Sequence, residues 1–170
     1  MIRILRPRLF VQSIYDIDLD RLVDRGMRGL ILDLDNTLIG WNQPQVPHEL
    51  HDWLKAVERR RLKTCIVSNN VSQRVDRFSR EVGIMAIARA AKPRRWAFRE
   101  AMQRMGTHRH NTAVVGDQVF TDILGGNRLH LYTILVHPLS DKEFWTTRLV
   151  RRLEKAVLPN HETFRMGERG

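Results

Sequence analysis

Leu30-Ile31-Leu32-Asp33-Leu34-Asp35-Asn36-Thr37-Leu38 decides how the rest of the chain is read. Its apolar start, preceded by Gly29, reads as a strand buried on both faces, and two carboxylates stand where that strand would end. In an open α/β sheet the carboxyl ends of the strands are where ligands bind. Asp33 and Asp35 are on alternate residues, so while the chain stays extended both point to the same side. Like charges this close repel unless a cation lies between them or one stays protonated. Taken alone, the pair better fits two loop-capping aspartates, and only the remainder of the chain changes that balance.

Downstream, Gly40, Pro44 and Pro47 mark an irregular stretch before a helix from about His48 to Arg61, with Leu50, Trp53, Leu54 and Val57 on its apolar face. A strand over Thr64–Val67 ends at Ser68-Asn69-Asn70, and the next helix turns Val71, Val75, Phe78 and Val82 inward until Gly83. Ile84–Ile87 is a third strand. Lys92-Pro93 opens a helix that Gly106 ends, with Phe98, Met102 and Met105 on its inner face. Thr112–Val115 is a fourth strand, broken at Gly116-Asp117; a short helix from about Thr121 to Leu129 and a fifth strand, Tyr132–Val136, complete the pattern. Upstream, Asp16–Asp24 is a short helix or turn. This alternation predicts an α/β fold: a three-layer, Rossmann-like parallel sheet of about five strands with helices on both faces.

In such a sheet all the strand ends share one edge, so Asp33, Asp35, Ser68, Lys92 and Asp117 converge although they are far apart in sequence. Carboxylates, a hydroxyl and a lysine suit phosphoryl transfer through an aspartate. Phosphate-monoester hydrolysis needs up to about 10²¹-fold acceleration, roughly 28 kcal/mol of barrier, so several groups must contribute. Asp33 can attack phosphorus, and Asp35 can protonate the leaving oxygen and then deprotonate water. A dianionic phosphate requires charge neutralisation, for which Mg²⁺ is the expected cofactor, held by the Asp33 carboxylate, the Asp35 carbonyl, Asp117 and either directly or indirectly Asp122. Lys92, the Ser68 hydroxyl and neighbouring amides such as that of Asn69 are candidate phosphate-binding groups. Thr37 is expected to fix the loop or to aid Asp35. His108 and His110 flank Arg109 without a third ligand at suitable spacing and are read as solvated. Trp41 either lines the entrance or packs.

DLDNTL at 33–38, SNN at 68–70, KP at 92–93 and GDQVFTD at 116–122 resemble, in order and spacing, the four motifs of the haloacid-dehalogenase (HAD) superfamily of phosphatases. The resemblance covers about Leu9 to Arg152, and Val119-Phe120-Thr121-Asp122, Gly125-Gly126-Asn127-Arg128 and Tyr132-Thr133-Ile134 are similar to the YqeG-type subgroup, whose relatives include phosphatidylglycerophosphate phosphatases. It implies Mg²⁺ dependence and the roles just described for Asp33, Asp35, Ser68, Lys92 and Asp117.

At 170 residues the chain fits one domain, which buries roughly 70% of its unfolded surface without staples. Residues 1–159 are expected to form a single hydrolase domain, with 1–12 as a basic arm and 160–170 as a polar, mobile tail. The lone cysteine, Cys65, sits in an apolar run and reads as a structural thiol. The N-terminus has no uninterrupted apolar core, which excludes a signal peptide or membrane span there and gives a cytoplasmic expectation.

Only about thirty residues separate Asp35 from Ser68, which leaves no room for a cap domain. An uncapped site favours a large substrate or an oligomer that supplies a lid. The net charge of +10 favours an anionic partner. Arg3, Arg6 and Arg8 alternate with apolar residues, and a helix from about Lys142 places Trp145 and Leu149 inward with Arg148, Arg152 and Lys155 on another side. These features point to peripheral contact with an anionic membrane on its inner face and to phosphatidylglycerophosphate as substrate; an arm packed on the domain is the plain alternative. A phosphatase of nucleic-acid ends or of soluble phosphate esters, and a non-catalytic basic binding module, are the rival readings.

Overall fold

Leu30, Ile31 and Leu32 are all fully buried, which only a strand covered on both faces allows. A computed structural model describes residues 2–139. In chain order its elements are β1 (Leu9–Val11), α1 (Leu19–Asp24), β2 (Gly29–Leu32), α2 (His48–Arg59), β3 (Lys63–Val67), α3 (Ser72–Val82), β4 (Met85–Ile87), α4 (Arg95–Met105), β5 (Thr112–Gly116), α5 (Leu124–Asn127) and β6 (Tyr132–Val136). Short 3₁₀ turns cover Ile2–Leu5 and Ile14–Asp16, and a π-helical turn, Val119–Ile123, leads into α5.

The strands run β1-β6-β5-β2-β3-β4 across the sheet, and every pair is parallel. β2 lies between β5 and β3, with Leu32 beside Val115 on one flank and Ile66 on the other. Strand periodicity then divides the core. Leu30 and Leu32 face a cluster with Leu50, Trp53 and Val57 of α2 and Val75 and Phe78 of α3. Ile31 faces the opposite way, toward Ala97, Phe98, Ala101 and Met105 of α4. The connection from β4 returns past β3 and β2 to β5, and with right-handed crossovers that reversal moves α4 to the second face. The chain therefore splits between β2 and β5, and in sheets of this kind ligands bind outside the carboxyl ends at such a switch point. No cap domain interrupts the sheet: only a loop and α2 separate β2 from β3, and only α3 separates β3 from β4.

The expected parallel sheet of about five strands is present, with six, because part of the basic arm is β1: the Arg8 N–H donates to Thr133 O at 2.8 Å, and Leu9 aligns with Ile134. Asn127 Nδ2 ties the preceding turn down by donating to Ile4 O at 2.7 Å and Arg6 O at 2.9 Å, while Leu5 packs on Val119, Ile123 and Leu135. Val71, expected inward, is 54% exposed. It precedes α3 in extended conformation, so helical spacing does not govern its direction. The expected helix from Lys142 and the tail from Asn160 lie outside the described residues. No helix among the described residues is long and apolar enough to cross a membrane.

α5 is held tightly against its neighbours. A Cβ on Gly125 would lie 2.5 Å from Phe98 Cε2, in a ring that is fully buried. Gly125→Ala is expected to destabilise the fold by about 1–3 kcal/mol, read as a lower urea midpoint at unchanged m-value.

Candidate active site

β2 keeps its pairing one residue past its end, where the Asp33 N–H donates to Val115 O at 2.9 Å. The chain then reverses: Asn36 takes a positive φ of 62°, and Leu38 N–H returns to Leu34 O. This tight turn brings Thr37 back over the strand end. Its Oγ1 lies 3.0 Å from Asp33 Oδ2 and 3.4 Å from Asp117 Oδ1, so one hydroxyl proton serves two carboxylates.

Lys92 arrives on a loop that the β3 end holds in place. Asn69 Oδ1 accepts from the Lys92 N–H at 2.7 Å, and Asn69 Nδ2 donates to Lys92 O at 3.2 Å. Ser68 is buried; its carbonyl accepts from Ala90 N–H and its Oγ from Asn70 N–H at 3.0 Å. Arg89 and Ala91 both have positive φ, 50° and 52°, a conformation that costs non-glycine residues of order 1 kcal/mol or more each. The loop supports that cost because it aims the lysine. Lys92 Nζ lies 2.6 Å from Asp33 Oδ1 and 2.7 Å from Asp122 Oδ1, with all three side chains almost entirely enclosed.

Asp122 reaches this pair through the π-helical turn, whose extra residue per turn rolls it inward. Its carboxyl lies across Gly116, where a Cβ would come within 2.3 Å of Asp122 Cγ. Asp122 Oδ2 also accepts from Gln118 N–H at 3.3 Å. Asp33, Asp117 and Asp122 can each offer an oxygen within 4.8 Å of the others.

The charges show what this cluster lacks. Burial pushes the Asp33 carboxyl up to about 7, with Lys92 opposing and Asp122 adding to the rise. Asp117 is raised well above the usual carboxylate range by burial, then by Asp33 and Asp122. Burial opposes the charge on Lys92, yet Asp122 and Asp33 outweigh it and hold the ammonium protonated. One ammonium is too little for three enclosed carboxylates. A hard divalent cation with oxygen ligands fits the deficit and the donor set.

Asp35 goes elsewhere. Its Oδ2 accepts from Asn70 Nδ2 at 3.1 Å and its Oδ1 from Arg74 Nε at 2.8 Å. The expected repulsion between Asp33 and Asp35 is thus relieved by separate cations, Lys92 for one and Arg74 for the other. Arg74 was not identified from the sequence. Its guanidinium also donates to Gly40 O at 3.2 Å and stands 5.1 Å above the ring of Trp41. A sequence signal existed: an arginine in the first turn of α3 opposes the helix dipole, which hints at another reason for its placement.

His108 and His110 are exposed and line a separate groove of about 800 Å³ with Arg95, Arg99, Arg128 and His130, which contains none of the residues above. Cys65 is fully buried and its thiol is pushed up to about 11 by that burial, so it is a core residue.

The HAD-hydrolase-like family model matches residues 89–142. The probable phosphatase YqeG of Bacillus subtilis is 40% identical over 152 residues, spanning 89% of this chain and 88% of that protein. The chloroplastic/mitochondrial phosphatidylglycerophosphate phosphatase 1 of Arabidopsis thaliana is 29% identical across 89% of this chain, which spans 47% of that relative's length. Among solved structures, the cobalt-bound deoxy-D-mannose-octulosonate 8-phosphate phosphatase YrbI of Haemophilus influenzae superposes with a TM-score of 0.53 at 15% identity, over 74% of this chain and 76% of that one. That last likeness is one of fold.

A parallel sheet that gathers three acids and one lysine at its carboxyl ends, in a chain 40% identical to a probable phosphatase, marks a phosphatase. With such identity to YqeG along nearly all of both sequences, the chain belongs to the haloacid-dehalogenase superfamily, in its YqeG-type subgroup.

A raised carboxyl favours the metal-free fold only while protonated, so the contribution of Asp33 is present at pH 4 and is lost as pH rises through about 7. A divalent cation should therefore raise the melting temperature more at pH 8 than at pH 5.5, and Asp117→Asn should shrink that shift, both read by scanning calorimetry with and without chelator.

Proposed function

We propose that this protein is a Mg²⁺-dependent phosphomonoester hydrolase that works through a phosphate ester on Asp33, and that it acts on phosphatidylglycerophosphate at a membrane surface. The observation that carries the chemistry is the Asp33 carboxylate fixed 2.6 Å from Lys92 Nζ and 3.0 Å from Thr37 Oγ1 at the carboxyl end of β2.

Lys92 and the Ser68–Asn69 turn receive the non-bridging phosphate oxygens, and Asn69 does so indirectly as well, by holding the Lys92 backbone. An oxygen of Asp33 attacks phosphorus as the bond to the alcohol breaks, and Asp35, once it has parted from Arg74 and taken a proton from solvent, gives that proton to the leaving oxygen. Asp35 then takes a proton from water, which attacks the same phosphorus, releases inorganic phosphate and restores Asp33. Thr37 keeps the attacking carboxylate oriented. Asp33, Asp117, Asp122 and the Asp35 carbonyl would hold Mg²⁺, which would supply the charge neutralisation that the buried carboxylates require.

The lipid assignment rests on weaker supports that agree with one another. A relative similar over 89% of this chain carries that activity in its name. Among the described residues the site has no cap, so a phosphate presented at a surface can reach it. Although the arm is bound to the domain through its backbone, the Arg3, Arg6 and Arg8 side chains stay exposed beside exposed Ile4 and Phe10. Near an anionic bilayer each such cation contributes ~1 kcal/mol, enough together for reversible attachment.

Asp33→Asn is expected to abolish phosphate release and to prevent the acid-stable capture of labelled phosphate on the protein. Asp35→Asn should lower kcat by about 10²- to 10⁴-fold. Turnover of phosphatidylglycerophosphate in mixed micelles should exceed that of a 3′-phosphorylated oligonucleotide; the reverse order would assign the protein to nucleic-acid ends, and no Mg²⁺-dependent hydrolysis of any ester would leave a binding module.

A further inference from the structure

Arg74 joins Asp35 to a concavity beside it. Between the segment 39–46 and the outer side of α3 lies a groove of about 460 Å³, the size of a small-ligand site. Ile39, Pro44, Val46 and Phe78 give it apolar walls, and Arg74, Arg77 and Arg80 give it charge; Arg80 turns its Nε back to Asp76 O at 3.2 Å, which sets it apart from Arg74 and Arg77. Its one acid, Glu81, has its carboxylate on the Val46 N–H at 3.4 Å. Trp41 and Val71, 42% and 54% exposed, stand nearby as unusually open apolar side chains.

Arg74 and Arg77 are three residues apart on one helix and so share a face. Arg74 is preorganised by three partners at once, Asp35, Gly40 O and the Trp41 ring. Two of its five N–H donors are engaged in those contacts, which leaves others for an incoming acceptor. Arg77 is exposed and pairs with no carboxylate among the described residues. Paired guanidinium groups above an apolar floor match an anion attached to hydrocarbon, because the planar fork takes two oxygens of one phosphate or carboxylate.

We infer that this groove receives the alcohol portion of the substrate, and that Arg74 and Arg77 bind a second anionic group carried by that portion, with the apolar wall against the hydrocarbon attached to that group. The inference rests on the phosphomonoesterase reading of Asp33 and Asp35. It narrows the substrate class to phosphomonoesters of amphiphilic alcohols with a further anion a few bonds from the scissile ester. A glycerol unit phosphorylated at one end and linked at the other to a diacylglycerol phosphodiester has this chemistry. A soluble sugar phosphate or a simple glycerol phosphate lacks it.

Arg77 carries the test, because changing Arg74 would also release Asp35. With short-chain phosphatidylglycerophosphate below its micellar concentration and with glycerol 3-phosphate, the wild-type enzyme should favour the former by about tenfold or more in kcat/KM, the yield of one charge-assisted hydrogen-bonded contact. Arg77→Gln should bring that ratio close to one through KM, while Arg99→Gln on α4 should leave it as it is. Equal use of both esters by the wild type, or an Arg77→Gln loss confined to kcat and equal on both, overturns the inference. Calorimetric binding of glycerophosphoglycerol, a phosphodiester with no scissile monoester, should weaken about tenfold in Arg77→Gln. That arm needs no catalysis: absence of turnover on both esters refutes the hydrolase reading, whereas absence of diester binding refutes the groove.

Discussion

One ammonium set between two enclosed carboxylates organises the molecule. Lys92 bonds Asp33 and Asp122 within 2.6 and 2.7 Å, and these three side chains come from the end of β2, the loop after β4 and the turn after β5. Removing one member of such a buried set costs roughly 3–5 kcal/mol, since the charges left behind cannot reach water. The surrounding peculiarities serve this contact. The left-handed residues Arg89 and Ala91 aim the lysine, Asn69 fastens its backbone, and the π-helical turn with Gly116 beneath it makes room for Asp122. Backbone irregularity of this kind gathers where geometry matters more than local stability.

The same cluster is electrostatically incomplete. Burial first, and then the neighbouring acids, raise Asp33 and Asp117, while Asp122 and Asp33 keep Lys92 charged. A site in this condition is ready to exchange protons for metal, and then to admit a phosphate that would otherwise be repelled. Asp35 is kept out of this balance by its own arginine, so two acids of one motif respond to different surroundings.

The range of each interaction sets how much of this is legible in the sequence. Parallel strands put their carboxyl ends on one edge by necessity, so Asp33, Ser68, Lys92 and Asp117 can be gathered from strand positions alone. Asp122 is legible as a candidate, but its inward roll depends on a π-helical turn that no periodicity announces. Arg74 escapes because its bond to Asp35 spans 39 residues and forms only after the chain reverses at Asn36. β1 is hidden for another reason: three residues between Arg8 and Gln12 are too short a run to show alternation, and only pairing with β6 makes them a strand. Val71 is misplaced when a helix face is extended one residue beyond the helix.

β1 and β4, the two borders of the sheet, are each three residues long. Borders so brief offer few unpaired backbone groups to a neighbouring chain, a common protection against uncontrolled stacking of sheets. Self-association that extends this sheet from molecule to molecule is therefore disfavoured. Copies of this protein that assemble would do so through their helical layers or loops.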